Sequence, residues 1–128
     1  MAQTANGAST IVVGYSSKPE GRAALHRALA EATLRNSRLI VVHTSPEEEV
    51  ASLTSELEGA GVQYEIRQAP DALDPAEELI SVADGSDALF IVIGLRRRSP
   101  VGKLLLGSNA QRVLLDASCP VLAVKAEL

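Results

Sequence analysis

The sequence predicts an α/β fold, a five-stranded parallel doubly wound sheet with helices on both faces, and three observations support this class. Five short segments rich in branched apolar residues alternate with segments whose apolar residues have helical spacing. Four of the five strand segments are continuously apolar, which is typical of parallel strands covered on both faces. Strict alternation of strand and helix indicates crossover connections, which make neighbouring strands parallel. We expect the strand order 3-2-1-4-5.

The predicted strands fall into two patterns. Segments such as TIVVG at 10–14 and ALFIVIG at 88–94 are almost entirely apolar, whereas VQYEIRQ at 62–68 alternates apolar and polar residues, as an edge strand does. The predicted strands are 10–14, 38–44, 62–68, 88–94 and 120–125.

The predicted helices carry apolar residues at positions i, i+3, i+4 and i+7, which form one stripe that faces the sheet. The stripes consist of Leu25, Ala28, Leu29 and Ala32, then Ala76, Leu79, Ile80 and Ala83, then Ala110, Val113, Leu114 and Ala117. The tetrapeptides SPEE at 45–48 and DPAE at 74–77 each supply a capping residue, a proline in the first turn and a glutamate at the third position. The predicted helices are 19–35, 46–59, 75–85 and 108–117.

Length and composition restrict the classes of protein to consider. The chain has 128 residues, so we expect one domain over 9–128, preceded by a disordered polar lead-in at 1–8. Aromatic residues make up 2% of the chain and the formal net charge is −4, which disfavours a nucleic-acid partner. Cys119 is the only cysteine, so no internal disulfide is possible. Without a signal peptide or a long apolar run, we expect a soluble cytoplasmic protein with no membrane partner.

Residues 94–108, GLRRRSPVGKLLLGS, concentrate positive charge in an acidic chain. Four cationic residues and no acidic residue lie in this stretch. Ligands of open α/β sheets bind beyond the carboxyl ends of the strands where the strand order reverses, here between the first and fourth strands. The two loops expected there, 15–19 and 95–106, each follow a glycine that we take to end a strand, Gly14 and Gly94. The sequence therefore predicts an anion site at this end of the sheet.

The start of the fourth helix has two interpretations. Ser108 can cap the helix, with Gln111 closing a capping box. Alternatively, a phosphate can bind the backbone N–H groups there, together with the Ser108 hydroxyl and the positive end of the helix dipole. Asn109 lies beside Ser108 in either case.

Three segments resemble the universal stress protein family: Gly14 after the first strand, LIVVHT at 39–44, and IVIGLRRRSPVGKLLLGSNAQRVLLDASCPVLAVK at 91–125. The resemblance covers residues 10–125 and implies a Rossmann-like fold. Members of this family that bind ATP carry G-x2-G-x9-G-[ST] after the fourth strand, where the glycines and the hydroxyl hold phosphates and ribose. Gly94, Gly107 and Ser108 match this motif, but Arg97 occupies the position of its second glycine.

The resemblance also assigns positions near the base and ribose. ATP-binding members usually have an aspartate after the first strand that reaches the nucleoside, whereas this chain has Ser16. Thr44 matches a position whose backbone contacts the base. Because backbone contacts do not depend on residue type, Thr44 agrees with the family pattern, whereas Ser16 and Arg97 depart from it.

The arginines permit opposite interpretations. Arg97 can obstruct the ligand, or its guanidinium can donate hydrogen bonds to phosphate in place of backbone N–H groups. Arg96, Arg98 and Lys103 add positive charge beside the helix N-terminus, which suits a phosphate ligand, although a solvated basic loop is the alternative.

The resemblance implies a stress-response regulator that binds an adenine nucleotide, ATP or AMP, with Mg²⁺ only as the counter-ion of the nucleotide. We expect it to act by ligand occupancy and by homodimerisation through Val121–Val124, because that strand would otherwise leave an uncovered edge. The main alternative is a dimeric interaction protein whose degenerate site binds no nucleotide. A slow ATPase would need a base and metal ligands that no pattern in the sequence identifies.

Overall fold

The structure is a computed structural model that describes residues 9–44, 47–69, 74–97, 104–105 and 107–126, without the side chains of 47, 48, 97, 104 and 105. The predicted lead-in at 1–8 and the predicted cap of the second helix at 45–46 lie outside these residues. The elements are β1 Thr10–Tyr15, α1 Pro19–Arg35, β2 Arg38–His43, α2 Glu47–Ala60, β3 Tyr64–Gln68, α3 Pro75–Ser86, β4 Phe90–Arg97, β5 Leu104–Leu105, α4 Ser108–Asp116 and β6 Val121–Lys125.

The five long strands form a parallel sheet in the order β3-β2-β1-β4-β6, which confirms the predicted fold class and strand order. The sheet is built around β1, where Val12 lies between Ile40 of β2 and Ile91 of β4. Strand β6 takes the place of the predicted fifth strand at one edge, and β3 lies at the other edge as its alternating pattern predicted. The strand order therefore reverses between β1 and β4.

The region after Gly94 differs from the prediction. We expected β4 to end at Gly94 and a loop to cover 95–106, but β4 continues to Arg97. Its last two residues pair antiparallel with β5, Arg96 opposite Leu105 and Arg97 opposite Leu104. This pairing supplies hydrogen-bond partners to backbone that would otherwise need water. Similarly, β1 continues one residue past Gly14, to Tyr15.

Apolar residues on both faces of the sheet form two cores. Helices α1 and α2 cover one face, where Leu25 and Leu57 pack with Ile11 and Val13 of β1. Helices α3 and α4 cover the other face, where Leu79 and Val113 pack around Val12. Successive residues of β1 therefore serve opposite cores, as a strand buried on both faces requires.

The predicted stripes of α1 and α3 are largely buried, but that of α4 is incomplete. Leu114 is 38% exposed and its neighbour Leu115 is 74% exposed, so only Val113 of α4 is fully buried. The prediction that Leu114 faces the sheet is therefore wrong, because this short helix covers the sheet with a narrower face than its spacing suggested.

The predicted cap of α3 is present. The Asp74 carboxylate accepts a hydrogen bond from the backbone N–H of Ala76 at 3.1 Å, and Pro75 is the first helical residue. Glu77, which we expected to support this cap, instead accepts a hydrogen bond from Arg112 of α4 at 2.7 Å. None of the described helices is both long and apolar enough to cross a membrane.

Candidate functional site

A cleft opens at the carboxyl ends of β1 and β4, where the strand order reverses and where ligand sites of such sheets form. Its inner part is a cavity of about 200 Å³ between the sheet and the two helices α3 and α4. Its lining residues are Gly14, Tyr15, Ser16, Glu20, Gly21, Val42, Thr44, Pro75, Leu79, Ile93, Gly94, Asn109, Ala110 and Val113. The inner cavity thus combines an apolar floor with a few polar groups at its rim.

The outer part of the cleft is a second cavity of about 340 Å³ at the start of α4. It is lined by Glu20, Gly94, Leu95, Arg96, Gly107, Ser108, Asn109 and Ala110. Four of these residues, Glu20, Gly94, Asn109 and Ala110, also line the inner cavity. The two cavities therefore adjoin, and together they reach the size of small-molecule sites, about 300–1,000 Å³.

The fold brings together the described residues that the sequence singled out. Five of them line the inner cavity, namely Gly14, Ser16, Thr44, Gly94 and Asn109. The outer cavity adds Arg96, Gly107 and Ser108. The side chain of Arg97 and all of Arg98 lie outside the described residues. His43 at the end of β2 is buried at 3% exposure and lines neither of these cavities.

Packing requires glycine at position 94, a reason that the motif did not reveal. A Cβ atom there would overlap the backbone carbonyl oxygen of Glu20 and lie 2.5 Å from its carbonyl carbon. Only glycine therefore lets the first turn of α1 approach β4 this closely. The contact places the start of α1 at the mouth of the cleft.

Gly21 is a site-forming residue that the sequence analysis missed. It lies buried in the first turn of α1, and a Cβ atom there would overlap the backbone nitrogen and oxygen of Ser16. Gly21 thus allows the turn after β1 to fold tightly and sets the position of Ser16. The available signal was a glycine inside a segment with helical spacing. Glycine lowers the stability of a helix, so its presence in the segment indicates that close packing requires it.

The start of α4 corrects the predicted capping box. Gly107, not Ser108, is the N-cap, with extended backbone at φ −66° and ψ 165°. Its carbonyl accepts the hydrogen bond from the backbone N–H of Gln111 at 3.0 Å, which leaves Ser108 as the first helical residue. The interpretation in which Ser108 caps the helix with Gln111 is therefore wrong, because the helix begins one residue earlier than a Ser108 cap requires.

Glu20 is the second residue that the sequence analysis missed. Its carboxylate accepts hydrogen bonds from Nε of Arg96 at 3.3 Å and from Nη2 of Arg96 at 3.2 Å. The stretch 94–108 contains no acidic residue, but the fold places this carboxylate from α1 beside it. The two residues are 76 positions apart in sequence, which explains why no local pattern revealed the pair.

Arg112 connects the two helices that wall the inner cavity. It forms ion pairs with Asp74 at 3.3 Å and Glu77 at 2.7 Å, both at the start of α3, and with Asp116 of α4 at 3.4 Å. The hydrogen bond with Glu77 is the main reason why the pKa of Arg112 lies above its ordinary value. Because all four side chains are substantially exposed, we expect a small contribution to stability and mainly an effect on helix orientation.

Comparison with known proteins identifies the class of this fold and cleft. The model of the Universal stress protein family matches residues 7–125, and the chain belongs to this family. A universal stress protein of Mycolicibacterium smegmatis is 46% identical over 126 residues, which cover 90% of this chain and 96% of that protein.

Solved structures support the same class. A universal stress protein from Archaeoglobus fulgidus is 33% identical, with a TM-score of 0.73, and the match covers 91% of this chain and 98% of that one. The structure of the universal stress protein from A. fulgidus in complex with dAMP is 28% identical with a TM-score of 0.63 and the same coverage of both chains. The family and its fold are thus established for this chain.

Proposed function

We propose that this protein binds an adenine nucleotide, ATP or AMP, in the cleft between β1 and β4, and that it regulates a stress response through ligand occupancy and dimerisation. The observation that carries this proposal is the pair of adjoining cavities at the reversal of strand order, of which the outer one is built on the first residues of α4. The A. fulgidus relative in complex with dAMP supports a ligand of this class. Mg²⁺ would enter only as the counter-ion of the nucleotide.

The lining residues suggest how the nucleotide lies. The apolar floor of the inner cavity, which includes Val42, Leu79 and Val113, suits the adenine ring. The phosphate end then extends into the outer cavity, towards the first turn of α4, where backbone N–H groups and the helix dipole favour negative charge.

Gly107 supports this orientation. A Cβ atom there would meet no atom of the described residues within 4 Å, and φ of −66° is open to any residue. Neither packing against the described residues nor backbone conformation therefore requires glycine at this position. Glycine at this position leaves the backbone open to the close approach of a phosphate.

Mass spectrometry of small molecules released from denatured, freshly purified protein tests the proposal. We expect AMP or ATP in the released fraction, and saturable binding of the same nucleotide in titration calorimetry after it has been removed. A preparation that neither retains nor binds adenine nucleotides would contradict the proposal. It would favour the alternative, a dimeric interaction protein with a degenerate site.

Replacement of Ser108 by alanine tests the phosphate end of the site. We expect AMP affinity to fall about fivefold, because one hydrogen bond is worth about 1 kcal/mol. The melting temperature should hardly change, since Ser108 is not the N-cap of α4. Ser55→Ala, at an exposed position of α2, is the matched control and should bind as the wild type does. Equal affinity of both variants, measured by calorimetry, would remove Ser108 from the site.

Replacement of Arg97 by glycine restores the family motif and tests whether this position obstructs the ligand. We expect ATP affinity to increase, because the backbone at the end of β4 then becomes accessible to phosphate. Calorimetry with ATP measures the change, and Arg67→Gly on the edge strand β3 is the control. If Arg97→Gly abolishes binding, the guanidinium is itself a phosphate ligand.

The edge strand β6 supports dimerisation. Within the described residues it pairs only with β4, and the side chains of Val121–Val124 are half-buried. A strand with apolar side chains and an unpaired backbone edge favours association with a second copy. Two-fold symmetry would make this contact self-complementary.

A further inference from the structure

Glu20 lies where the two cavities of the cleft adjoin, since it lines both of them. Its side chain is 20% exposed, and its Oε2 atom accepts both hydrogen bonds from Arg96. Arg96 lines the outer cavity together with Gly107 and Ser108. The Glu20 carboxylate therefore lies at the entrance to the proposed phosphate position. It accepts hydrogen bonds from donor groups of Arg96 that a phosphate there would also use.

This arrangement opposes negative charge on a ligand in two ways. A carboxylate with little exposure repels a neighbouring phosphate more strongly than an exposed one, because less water screens it. In addition, the Nε and Nη2 groups of Arg96 are already paired, so a phosphate must compete with Glu20 for them. The first effect increases with each negative charge that the ligand carries.

We propose that Glu20 is a specificity-determining residue that makes the cleft favour nucleotides with a short phosphate group over those with a triphosphate. The inference rests on the proposed nucleotide function and adds a preference within it. Glu20 acts here through charge, by repulsion and by competition for Arg96, and contributes no attractive contact to the nucleotide.

Affinities for adenosine, AMP, ADP and ATP, measured by calorimetry with EDTA in low salt, test this inference in wild type and Glu20→Gln. Glutamine keeps the size of the side chain and removes its charge. We expect adenosine affinity to stay within about twofold, AMP to bind about threefold tighter and ATP about tenfold tighter in the variant. In about 1 M salt these gains should decrease only in part, because salt screens a carboxylate with little exposure much less than it screens an exposed one.

Glu31→Gln is the matched control, because Glu31 also lies on α1 and pairs with two arginines, Arg27 and Arg35, but lines neither cavity of the cleft. We expect this variant to bind the four ligands as the wild type does. Thermal unfolding of both variants checks that α1 remains folded.

The other outcomes each have a definite meaning. Equal gains for all four ligands, or no gain, would overturn the charge preference while leaving nucleotide binding intact. Weaker binding of every ligand in Glu20→Gln, adenosine included, would also overturn it and make Glu20 an acceptor for the nucleoside. If neither protein binds any of the four, the proposed nucleotide function fails, and this inference fails with it.

Discussion

Replacement of Gly94 by alanine is expected to lower the free energy of unfolding by about 3 kcal/mol or more, the upper range for overpacking a core position. The added Cβ would overlap the backbone carbonyl oxygen of Glu20. A backbone atom in the first turn of a helix cannot move aside as a flexible side chain can. The variant must therefore shift α1 away from β4, which also disrupts the cleft that both elements line.

Chemical denaturation of Gly94→Ala beside Gly59→Ala measures this effect. Gly59 lies inside α2, and a Cβ atom there would meet no described atom within 4 Å. Alanine at that position should raise stability by about 0.5–1 kcal/mol, because it favours the helix and restricts the unfolded chain. Opposite signs for the two glycines are the expected result. A Gly94→Ala protein as stable as the wild type would show that α1 and β4 do not approach this closely.

Replacement of Val121 by proline is expected to convert the proposed homodimer into a monomer without unfolding it. Along β6, the carbonyl of Pro120 accepts from Ile91 and the N–H of Ala126 donates to Leu95, both on β4. Because N–H groups alternate along a strand, the N–H of Val121 points away from β4, towards the open edge. Proline there removes a donor from the proposed interface and leaves the pairing with β4 intact.

Light scattering across a dilution series measures the mass of wild type, Val121→Pro and Val121→Thr. Threonine keeps the N–H group and the branched side chain, so this control should remain dimeric. Circular dichroism should show similar folding of all three proteins. A wild-type chain that stays monomeric at high micromolar concentration would contradict the interface. So would a proline variant that dimerises as the wild type does.

Much of the fold could be predicted from local pattern. Three of the four continuously apolar segments became the buried strands β1, β2 and β4, and the fourth became the half-buried edge strand β6. Helix α1 has the predicted bounds of residues 19–35. Spacing and composition are local properties that burial in two cores imposes directly, so they can be recognised without the tertiary structure. The same holds for the cap at Asp74, where the donor lies two residues away. The resemblance to the family added the residues that line the cleft.

Other features were decided by the tertiary structure. The extension of β4 to Arg97 depends on its antiparallel pairing with β5, which lies only a few positions further along the chain. The pairing of Glu20 with Arg96 and the need for glycine at Gly94 depend on segments that are distant in sequence. No residue within several positions of Glu20 or Gly94 indicates the partner. The sequence by itself therefore determined the architecture and the location of the cleft. The tertiary structure decided which charge lies at the entrance of the cleft. That charge belongs to Glu20, and the packing of α1 against β4 brings it there from the other end of the chain.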